Sequence, residues 1–590
     1  ETYAQQAFAR ASVFGATYKG QTNYDLAQRL YNYASLCWFM FSTPILSNGG
    51  TTRGLPISCF LNYVPDSRTG LSDHYDENIW LASAGGGIGG YWGDVRSNGT
   101  STSNGSKSTG SIPFMHVVDS QMLAFNQGVT RRGSYAAYMD INHPEVEEFI
   151  AMRKTTGGDL NRKCLNLHNG VNITNEFLDA VKEDKEWRLI DPKSKEAIKN
   201  VSARDLWWQL LHTRSETGEP YIVNIDNCNS ALPQQQKDLG LEVKQSNLCS
   251  EITLPTNEER TAVCCLSSVN VEKFDDWSKD EQFIEDLVTM LDNVLEQFIE
   301  SAVDTTHYAL GSYRANAERF KNYLKEDKNA YRKSAFSAYR ERSIGLGAMG
   351  FHSYLQSKAI PFEGLRATSI NHQVFKHIKE KAVDASKKLA NDRGEAPDMV
   401  GSGLRNAHLL AVAPNASSSI ICNGTSPSIE PSRANVYTHK TLSGSYKVQN
   451  KHLKNLLESK NKNTIEVWKD IAAHEGSVQH LDFLTDEEKE VFKTAPELNQ
   501  IWIVEHAHQR QQYICQSQSV NLFFIPPKAT EPQETHDAFL QYINDVHWYG
   551  AKNLKSLYYL RSDAARATEN VNIKIPRINL GEVECIACEG

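Results

Sequence analysis

Short apolar strands that alternate with long helices constrain the fold of this 590-residue chain most strongly. Residues 409–413 (LLAVA) and 520–525 (VNLFFI) are apolar runs typical of strands covered on both faces. Residues 279–302 predict a long helix, with Ser278 and Glu281 as a capping box at its start. Its apolar stripe comprises Ile284, Leu287, Val288, Leu291, Val294, Leu295, Phe298 and Ile299. This alternation predicts an α/β architecture with a covered sheet or a barrel.

Composition and charge argue against two classes of protein. The chain is 40% hydrophobic and 23% charged, as ordinary globular proteins are. Its formal net charge of −9 argues against a broad nucleic-acid interface, which would need a basic surface. The sequence contains no apolar run of about 18 residues, so we expect no membrane span.

The cysteines indicate a reducing compartment. There are eleven of them, odd in number and scattered, which is not the disulfide framework of a secreted protein. Residues 1–6 have neither the basic nor the apolar part of a secretory leader, so we expect a cytoplasmic protein. Cys585 and Cys588 form a C-x-x-C in the last thirty residues, which lose helical periodicity and predict a mobile tail. Half a zinc ribbon is the alternative, but thiol–disulfide exchange is favoured because the second half is missing.

The segment Gln245–Pro255 concentrates chemically useful side chains. In an extended conformation Asn247, Cys249 and Glu251 would share one face, since side chains two residues apart point the same way. The alternative is an ordinary strand with a buried cysteine and a solvated glutamate. The rest of the chain decides between these interpretations.

Two glycine-bearing stretches could each contact a nucleotide. Gly85, Gly87 and Gly90 satisfy G-x-G-x-x-G, but a polar loop at 97–107 follows instead of a helix. We therefore expect a flexible nucleotide-contacting loop and not a Rossmann site. A second loop, at 127–134, carries glycine and arginine, and a solvated basic turn is its alternative.

Two further motifs each allow two interpretations. The run 415–419 (NASSS) follows the strand 409–413, so it could bind an anion at a helix start or merely cap that helix. Tyr558 and Tyr559 are usually packing residues in such an apolar run. A regular strand would point the two rings to opposite faces, so a stacked pair would require a bend.

Taken together, these ordered motifs resemble the large, catalytic subunit of class I ribonucleotide reductases over nearly the whole chain. Residues 247–251 (NLCSE) are similar to the family's finger-loop motif. The resemblance implies that Cys249 is the thiyl-radical cysteine, Asn247 the substrate-orienting amide and Glu251 the general acid/base.

The resemblance also assigns the reducing cysteines. Cys59 matches the first cysteine of the reducing pair and Cys264 best matches the second, although the adjacent Cys265 departs from the family pattern. Tyr558 and Tyr559 match the paired radical-relay tyrosines. Cys585 and Cys588 match the tail that re-reduces the active site.

Binding positions are implied in the same way. The positions that resemble the substrate diphosphate site are Thr43, Ser58, Asn415, Ala416, Ser417, Ser418 and Ser419. Those that resemble the specificity-effector site are Asp66, Ser67, Arg96 and Arg131.

The fold implied is a ten-stranded α/β barrel of two antiparallel halves, each of five parallel strands, with the finger loop through its centre. Residues 1–42 would be a remnant of a helical N-terminal domain, 43–560 the barrel with its effector loops, and 561–590 the flexible tail. Family members carry a longer N-terminal domain, and many add an ATP-cone. The residues before Thr43 are too few for either, so we expect a fragment, a compact form or a second polypeptide, and no overall control by dATP through a cone.

The implied reaction is radical reduction of ribonucleoside diphosphates to 2′-deoxyribonucleotides. We expect no metal bound by this chain, because a separate metal-containing small (beta) subunit would supply the radical. Thioredoxin or glutaredoxin would restore the thiols, dNTPs and ATP would act as effectors, and the chain would form a homodimer.

Two alternatives remain. An adenosylcobalamin-dependent (class II) reductase would not need the tyrosine pair, and a non-catalytic nucleotide-binding regulator would have lost some radical or redox residues. The sequence retains all of them, which disfavours both alternatives.

Overall fold

The structure is a computed structural model that describes residues 1, 3–51, 54–57, 59–127, 131–304, 331–441 and 444–562. Side chains are not described at 126–132, 302–304, 439–441 and 444–446. Within the described ranges, none of the helices combines the length and apolar character needed to cross a membrane.

The strands of the described residues are β1 (Thr17–Tyr18), β2 (Gln21–Thr22), β3 (Phe39–Phe41), β4 (Cys59–Tyr63), β5 (Gly87–Tyr91), β6 (Asn126–Gln127), β7 (Arg131–Arg132), β8 (Ser134–Asp140), β9 (His168–Ile173), β10 (Glu186–Ile190), β11 (Ala197–Ser202), β12 (Tyr221–Asn224), β13 (Ala262–Asn270), β14 (Ile344–Met349), β15 (Val436–Thr441), β16 (Gly444–Gln449), β17 (Leu522–Phe523), β18 (Ser556–Leu557) and β19 (Leu560–Arg561).

The α-helices described are Ala4–Gly15, Tyr24–Ser35, Thr43–Asn48, Arg68–Ser83, Ile112–Ala124, Val146–Ala151, Asn175–Lys182, Ala203–Thr217, Ile225–Ser230, Gln234–Asp238, Phe274–Trp277, Phe283–Asp304, Arg332–Glu341, Phe351–Ser357, Leu365–Arg393, Ala416–Ile421, Lys451–Ser459, Ile465–Ala473, Asp486–Val491, Gln500–Gln511 and Gln533–Asn553.

Five parallel strands form the first half of a barrel. Their order is β4, β5, β8, β9 and β12, and each pairs in parallel with the next. The connections between these strands are mainly helical, as parallel pairing requires. Strand residues such as Ile88, Tyr138 and Val171 are fully buried, as expected for a sheet covered on both faces.

The second half completes the ring in the opposite direction. β13 pairs antiparallel with β4 and in parallel with β14. Parallel bridges then join Leu346 to Leu410 and Val412 to Gln518. β17 pairs in parallel with β19, and β18 pairs antiparallel with β12, which closes the barrel. The second half therefore consists of β13, β14 and three short extended segments, and the expected ten-stranded barrel of two antiparallel halves is confirmed.

The helix Phe283–Asp304 covers the outside of the barrel. All eight residues of its predicted apolar stripe are buried, as expected from their spacing. The predicted start is wrong, because Ser278 ends the short helix Phe274–Trp277. Instead of the expected capping box, the Asp280 carboxylate accepts a hydrogen bond from the Gln282 N–H at 2.9 Å.

The glycine-rich stretch is a buried strand, so the expected flexible nucleotide-contacting loop is wrong. Residues Gly87–Tyr91 form β5 in the middle of the first half, and every one of them is buried. A Cβ at Gly89 would collide with the backbone of Ser246, and one at Gly90 with the Tyr135 hydroxyl. Gly89 is required because the backbone at Ser246 passes directly against this strand, and Gly90 because the Tyr135 side chain occupies the space of a Cβ.

Residues before the barrel pack against it. The helix Tyr24–Ser35 lies in this part of the chain, and β3 pairs with β13 of the barrel. A smaller unit carries the β15–β16 hairpin and the helices between residues 451 and 491, with its own apolar core around Leu453, Trp468 and Ile471.

Candidate active site

The finger loop, residues 245–255, crosses the barrel interior as a turn and not as a strand. The Ser250 N–H lies 3.4 Å from the Asn247 carbonyl oxygen, and Ser250 has a left-handed φ of 68°. The expected extended conformation is therefore wrong around Cys249, because a turn does not alternate its side chains between two faces. Asn247, Cys249 and Glu251 are nevertheless all buried within this one turn.

Asn247 closes the turn. Its side-chain oxygen accepts hydrogen bonds from the Glu251 and Ile252 N–H groups, each at 3.1 Å. Its amide nitrogen lies 3.6 Å from the Cys59 sulfur. The Tyr138 hydroxyl donates to its backbone carbonyl. One residue thus fixes the loop and contacts a cysteine of the barrel wall.

Three serines of the second half hold the tip of the loop. The Ser519 hydroxyl donates to the Cys249 carbonyl at 2.6 Å, and the Ser556 hydroxyl donates to the Ser250 carbonyl at 2.6 Å. The Ser517 N–H donates to the Glu251 carbonyl at 2.8 Å. Sequence reasoning missed these residues, although the polar run 516–519 before an apolar strand was a signal. They hold the backbone of Cys249 in one position.

Glu251 has the environment of an acid/base group. It is 1% exposed, and the Ser519 hydroxyl lies 3.4 Å from one of its carboxylate oxygens. Burial raises the pKa of Glu251 to about 7, because removal from water disfavours the charged form. A carboxyl with this pKa exchanges protons readily near neutral pH.

Cys59 and Cys264 are direct partners across the β4–β13 pair. Such partners have Cα atoms about 4.5–5.5 Å apart, which is within the range that a disulfide can bridge. Both side chains belong to one buried cluster with Ile252 of the finger loop, whereas Cys265 belongs to the main core on the other face. Burial raises the pKa of Cys264 well above its ordinary value, so its thiol keeps its proton.

Tyr558 and Tyr559 lie close together, which a regular strand would not allow because it points neighbouring rings to opposite faces. They lie between β18 and β19, outside either strand, with ring centroids 4.2 Å apart. Tyr221, which sequence reasoning missed, lies 4.9 Å from the Tyr558 ring and 5.2 Å from the Tyr559 ring. All three belong to one buried cluster with Cys249. The cluster joins the tyrosine pair to the finger loop.

The hydroxyl group of Tyr559 lies beside a histidine and a glutamate that the sequence did not indicate. The Tyr559 hydroxyl lies 3.2 Å from His168 Nδ1, and the same nitrogen lies 2.7 Å from Glu219. Although burial acts to raise the pKa of Glu219, Arg153 and the hydrogen-bonded His168 hold it below its usual value. These residues come from distant parts of the chain, so no local pattern could link them.

The expected phosphate segments lie side by side. Asn415 has a left-handed φ of 56° and precedes the helix Ala416–Ile421, whose residues Ser417–Ser419 begin its first turns. The Asn415 side chain accepts from the Ser268 hydroxyl at 3.0 Å and donates to the Ala413 carbonyl at 2.9 Å instead of capping the helix. Ser268 also pairs with Met40 of β3, and Thr43 begins the helix that follows β3. Ser58 lies outside the described residues.

The expected effector residues are partly brought together. Arg96 Nε lies 2.9 Å from both carboxylate oxygens of Asp66, and this hydrogen bonding raises the pKa of Arg96. The Ser67 hydroxyl accepts from the Gly70 N–H at 2.9 Å and caps the helix Arg68–Ser83. Arg131 lies in the β6–β7 hairpin, but its side chain is not described. Cys585 and Cys588 lie outside the described residues.

One cluster in the described residues has spacing that suits a metal ion. It consists of Asp470, His474 and His480 on the surface of the smaller unit. His480 and His474 lie 3.1 Å and 3.3 Å from the Asp470 carboxylate oxygens, so ordinary side-chain contacts account for the arrangement. It is not part of the finger-loop site.

Comparison with known proteins identifies the family. The family model for the ribonucleotide reductase barrel domain matches residues 57–402 and 397–560. This chain belongs to the ribonucleotide reductase family. Among curated relatives, the ribonucleoside-diphosphate reductase large subunit of Frog virus 3 is 47% identical over 96% of this chain and 93% of its own length. That of Invertebrate iridescent virus 3 is 42% identical over 96% and 92%, respectively.

A solved structure agrees with the sequence relatives. The class Id ribonucleotide reductase alpha subunit of Actinobacillus ureae superposes with a TM-score of 0.77 at 34% identity, covering 95% of this chain and 94% of that one. The resemblance to a class I reductase large subunit is therefore confirmed, and with it the expected oxidoreductase function. A large subunit of this family works with a separate radical-generating subunit.

Proposed function

We propose that this reductase large subunit converts ribonucleoside diphosphates to 2′-deoxyribonucleotides by radical chemistry at Cys249. The observation that carries the proposal is the position of the finger loop. Cys249 shares one buried cluster with Tyr558 and Tyr559, while Asn247 of the same turn contacts Cys59. The tyrosine pair that would deliver the radical and the reducing thiol of Cys59 thus both adjoin the same turn of the finger loop. The names of the viral relatives support diphosphates as the substrate class.

Each group then has a defined task. The partner subunit supplies the oxidising radical, which passes through Tyr559 and Tyr558 to the Cys249 thiol. The Cys249 thiyl removes the 3′-hydrogen of the ribose, and Glu251 accepts the 3′-hydroxyl proton. Asn247 orients the sugar through its amide.

The two thiols of the barrel wall supply the electrons. The 2′-hydroxyl leaves as water with a proton from the Cys59–Cys264 pair, and the two sulfurs end as a disulfide. The Cys264 thiol suits this step, because burial raises its pKa and keeps its proton available. The backbone and hydroxyl groups of the Asn415–Ser419 segment, with Thr43 and Ser58, bind the diphosphate.

We extend the proposal to regulation and assembly. The Asp66 region, with Ser67, Arg96 and Arg131, binds a dNTP or ATP effector, and two copies of the chain form a homodimer. Thioredoxin or glutaredoxin restores the tail cysteines in a reducing, cytoplasmic compartment.

The test is reduction of cytidine diphosphate by the purified chain. We expect deoxycytidine diphosphate only when a class I radical-generating subunit and a dithiol are present, with no requirement for adenosylcobalamin. Activity that depends on adenosylcobalamin alone would support the class II alternative. If the chain binds nucleotide but forms no product under either condition, the result would support the alternative of a non-catalytic nucleotide-binding regulator.

The first prediction concerns pH. Because Glu251 acts as a base with a pKa of about 7, kcat should rise with pH through neutrality and then level off. Glu251→Gln should lower kcat by about 10²–10⁴-fold, the usual contribution of such a group, and should remove this titration. A pH–rate profile of both proteins checks the prediction. An unchanged profile in Glu251→Gln would exclude Glu251 as the base.

The second prediction concerns the effector site. Asp66→Ala should release Arg96 and reduce the effector-dependent change in base preference by about 5–150-fold, the usual range of coupling between sites. Competition assays with mixed nucleotides, with and without dATP, dTTP or dGTP, measure it. Thr174→Ala is a control for loss of stability alone, since it removes a helix cap outside the proposed effector site at a cost of about 1 kcal/mol. Full effector response in Asp66→Ala would contradict the assignment.

The third prediction concerns the tail. Changing both Cys585 and Cys588 to serine should leave one burst of product but stop thioredoxin-driven turnover, because the buried disulfide needs a thiol that can reach it. A flexible chain of 25 residues spans on the order of 25–30 Å, which is enough to enter the barrel. Slow turnover should return with a small dithiol. Normal thioredoxin-driven turnover would refute the shuttle and restore a structural or metal role for the pair.

A further inference from the structure

Two cysteines outside the proposed reaction lie together beside the phosphate segments. The Cys422 sulfur lies 3.3 Å from the Cys37 carbonyl oxygen, and the two side chains hydrogen-bond to each other. The Asn270 amide donates to the Cys37 carbonyl at 2.9 Å and to the Cys422 sulfur at 3.6 Å. Both cysteines pack against a small apolar cluster that contains Met40 and Met349. The thiols therefore need only a local adjustment to meet.

The backbone conformation at Cys37 is energetically unfavourable for a residue with a side chain. Cys37 follows the helix Tyr24–Ser35 with a left-handed φ of 56°. Its N–H donates to the Ala34 carbonyl and the next N–H, of Trp38, to the Tyr33 carbonyl, which ends the helix in a position that usually holds glycine. A side chain there costs about 1–2 kcal/mol. A strained cysteine beside a second cysteine indicates that its thiol has a use.

The two thiols have different environments. Cys37 is partly exposed, whereas Cys422 is buried. The hydrogen bond from Cys422 lowers the pKa of Cys37, with a further contribution from Lys273 and Lys451, while Glu272 opposes it. The pKa of Cys422 is raised by the same hydrogen bond and by burial. Cys37 is thus the accessible nucleophile, and Cys422 is the protonated thiol behind it.

We propose that Cys37 and Cys422 are a second redox-active pair, which peroxide oxidises to a disulfide that ties the two phosphate segments together. The Cys37 thiolate attacks one peroxide oxygen and becomes a sulfenic acid as hydroxide leaves. The Cys422 thiol then attacks the Cys37 sulfur, and water leaves as the S–S bond forms. Two thiols lose two electrons and two protons, and hydrogen peroxide becomes two waters. A thioredoxin-class dithiol reverses the step.

The consequence for substrate binding rests on the proposed function. Cys37 precedes β3, which leads to Thr43, and Cys422 follows the helix Ala416–Ile421, which begins after Asn415. A disulfide between them fixes the distance between the two segments proposed to hold the diphosphate. The expected result is weaker nucleotide binding in the oxidised protein, so that peroxide slows the enzyme reversibly.

The covalent step is tested without any nucleotide. The reduced full-length chain is treated with stoichiometric hydrogen peroxide, blocked with an alkylating reagent and mapped by peptide mass spectrometry. We expect a Cys37–Cys422 peptide in the wild type and in Cys164→Ser, a control that changes a buried cysteine elsewhere in the core, but none in Cys37→Ser. Absence of this peptide from the oxidised wild type would overturn the proposal.

The regulatory step is tested by cytidine diphosphate binding before and after peroxide. The active-site disulfide can form in both proteins, so the difference between wild type and Cys37→Ser isolates the second pair. We expect the dissociation constant of the oxidised wild type to rise at least about fivefold over that of oxidised Cys37→Ser, the lower end of ordinary coupling. Equal constants with the disulfide present would overturn its regulatory role. No binding by the reduced wild type would instead refute the proposed function, while the mapping result would stand.

Discussion

Cys249→Ser is expected to abolish turnover and leave nucleotide binding intact. Serine preserves the size and the hydrogen-bonding capacity of cysteine, but its hydroxyl does not hold a radical as a thiol does. The finger-loop backbone should persist, because its partners Ser519 and Asn247 bind main-chain atoms and not the thiol. A loss of at least about 10⁴-fold in kcat is expected, which corresponds to ~5.5 kcal/mol of barrier.

A second cysteine of the same cluster provides the control. Cys228 is buried beside Tyr221 and Leu248, and its sulfur lies 3.7 Å from the Lys555 carbonyl oxygen. Cys228→Ser should therefore retain turnover near that of the wild type when the two proteins are compared at equal folded concentration. Cytidine diphosphate reduction and nucleotide binding measure both variants. Appreciable steady-state turnover by Cys249→Ser would contradict the central role of this thiol.

Tyr558→Phe and Tyr559→Phe should each abolish activity with the radical-generating subunit. Phenylalanine keeps the ring that packs in the buried cluster and removes only the phenol, so folding and substrate affinity should persist. A loss of at least about 10³-fold is expected, since an interrupted relay leaves Cys249 without an oxidant.

Tyr221→Phe is the control that distinguishes loss of the radical relay from loss of packing in the tyrosine cluster. Tyr221 contacts both rings, yet it is not one of the consecutive relay tyrosines, so its phenylalanine variant should keep most of the activity. Thermal melting of all three variants checks that the cluster remains folded. Normal turnover by Tyr558→Phe would exclude the class I radical route and favour the cobalamin alternative.

The sequence predicted the fold because the informative motifs are local and ordered. The apolar strands and the striped helix each have a signature within a few positions and predicted an α/β architecture. The resemblance of the ordered motifs to class I ribonucleotide reductases then implied the ten-stranded barrel. The errors arise where long-range contacts decide. A glycine-rich run is usually a loop, and only the approach of Ser246 and Tyr135 explains why Gly89 and Gly90 belong to a buried strand.

The details of the site depend on register and on turns that periodicity does not reveal. Cys264 and Cys265 are adjacent in sequence but lie on opposite faces of β13, and the pairing of β13 with β4 selects Cys264 as the partner of Cys59. The left-handed Ser250 turns the loop that alternation predicted as extended. The serines at 517, 519 and 556 reach the loop from far along the chain, so their contacts could not be predicted locally.

A single-turnover experiment tests the central claim most directly. The fully reduced chain with both tail cysteines changed to serine is mixed with the radical-generating subunit and cytidine diphosphate, without external reductant. The account predicts about one deoxycytidine diphosphate per active site, because one disulfide carries two electrons. Peptide mapping should find that disulfide between Cys59 and Cys264, with Cys265 still a thiol. Product formation with Cys59 and Cys264 still reduced, or with the disulfide at Cys265, would contradict the account.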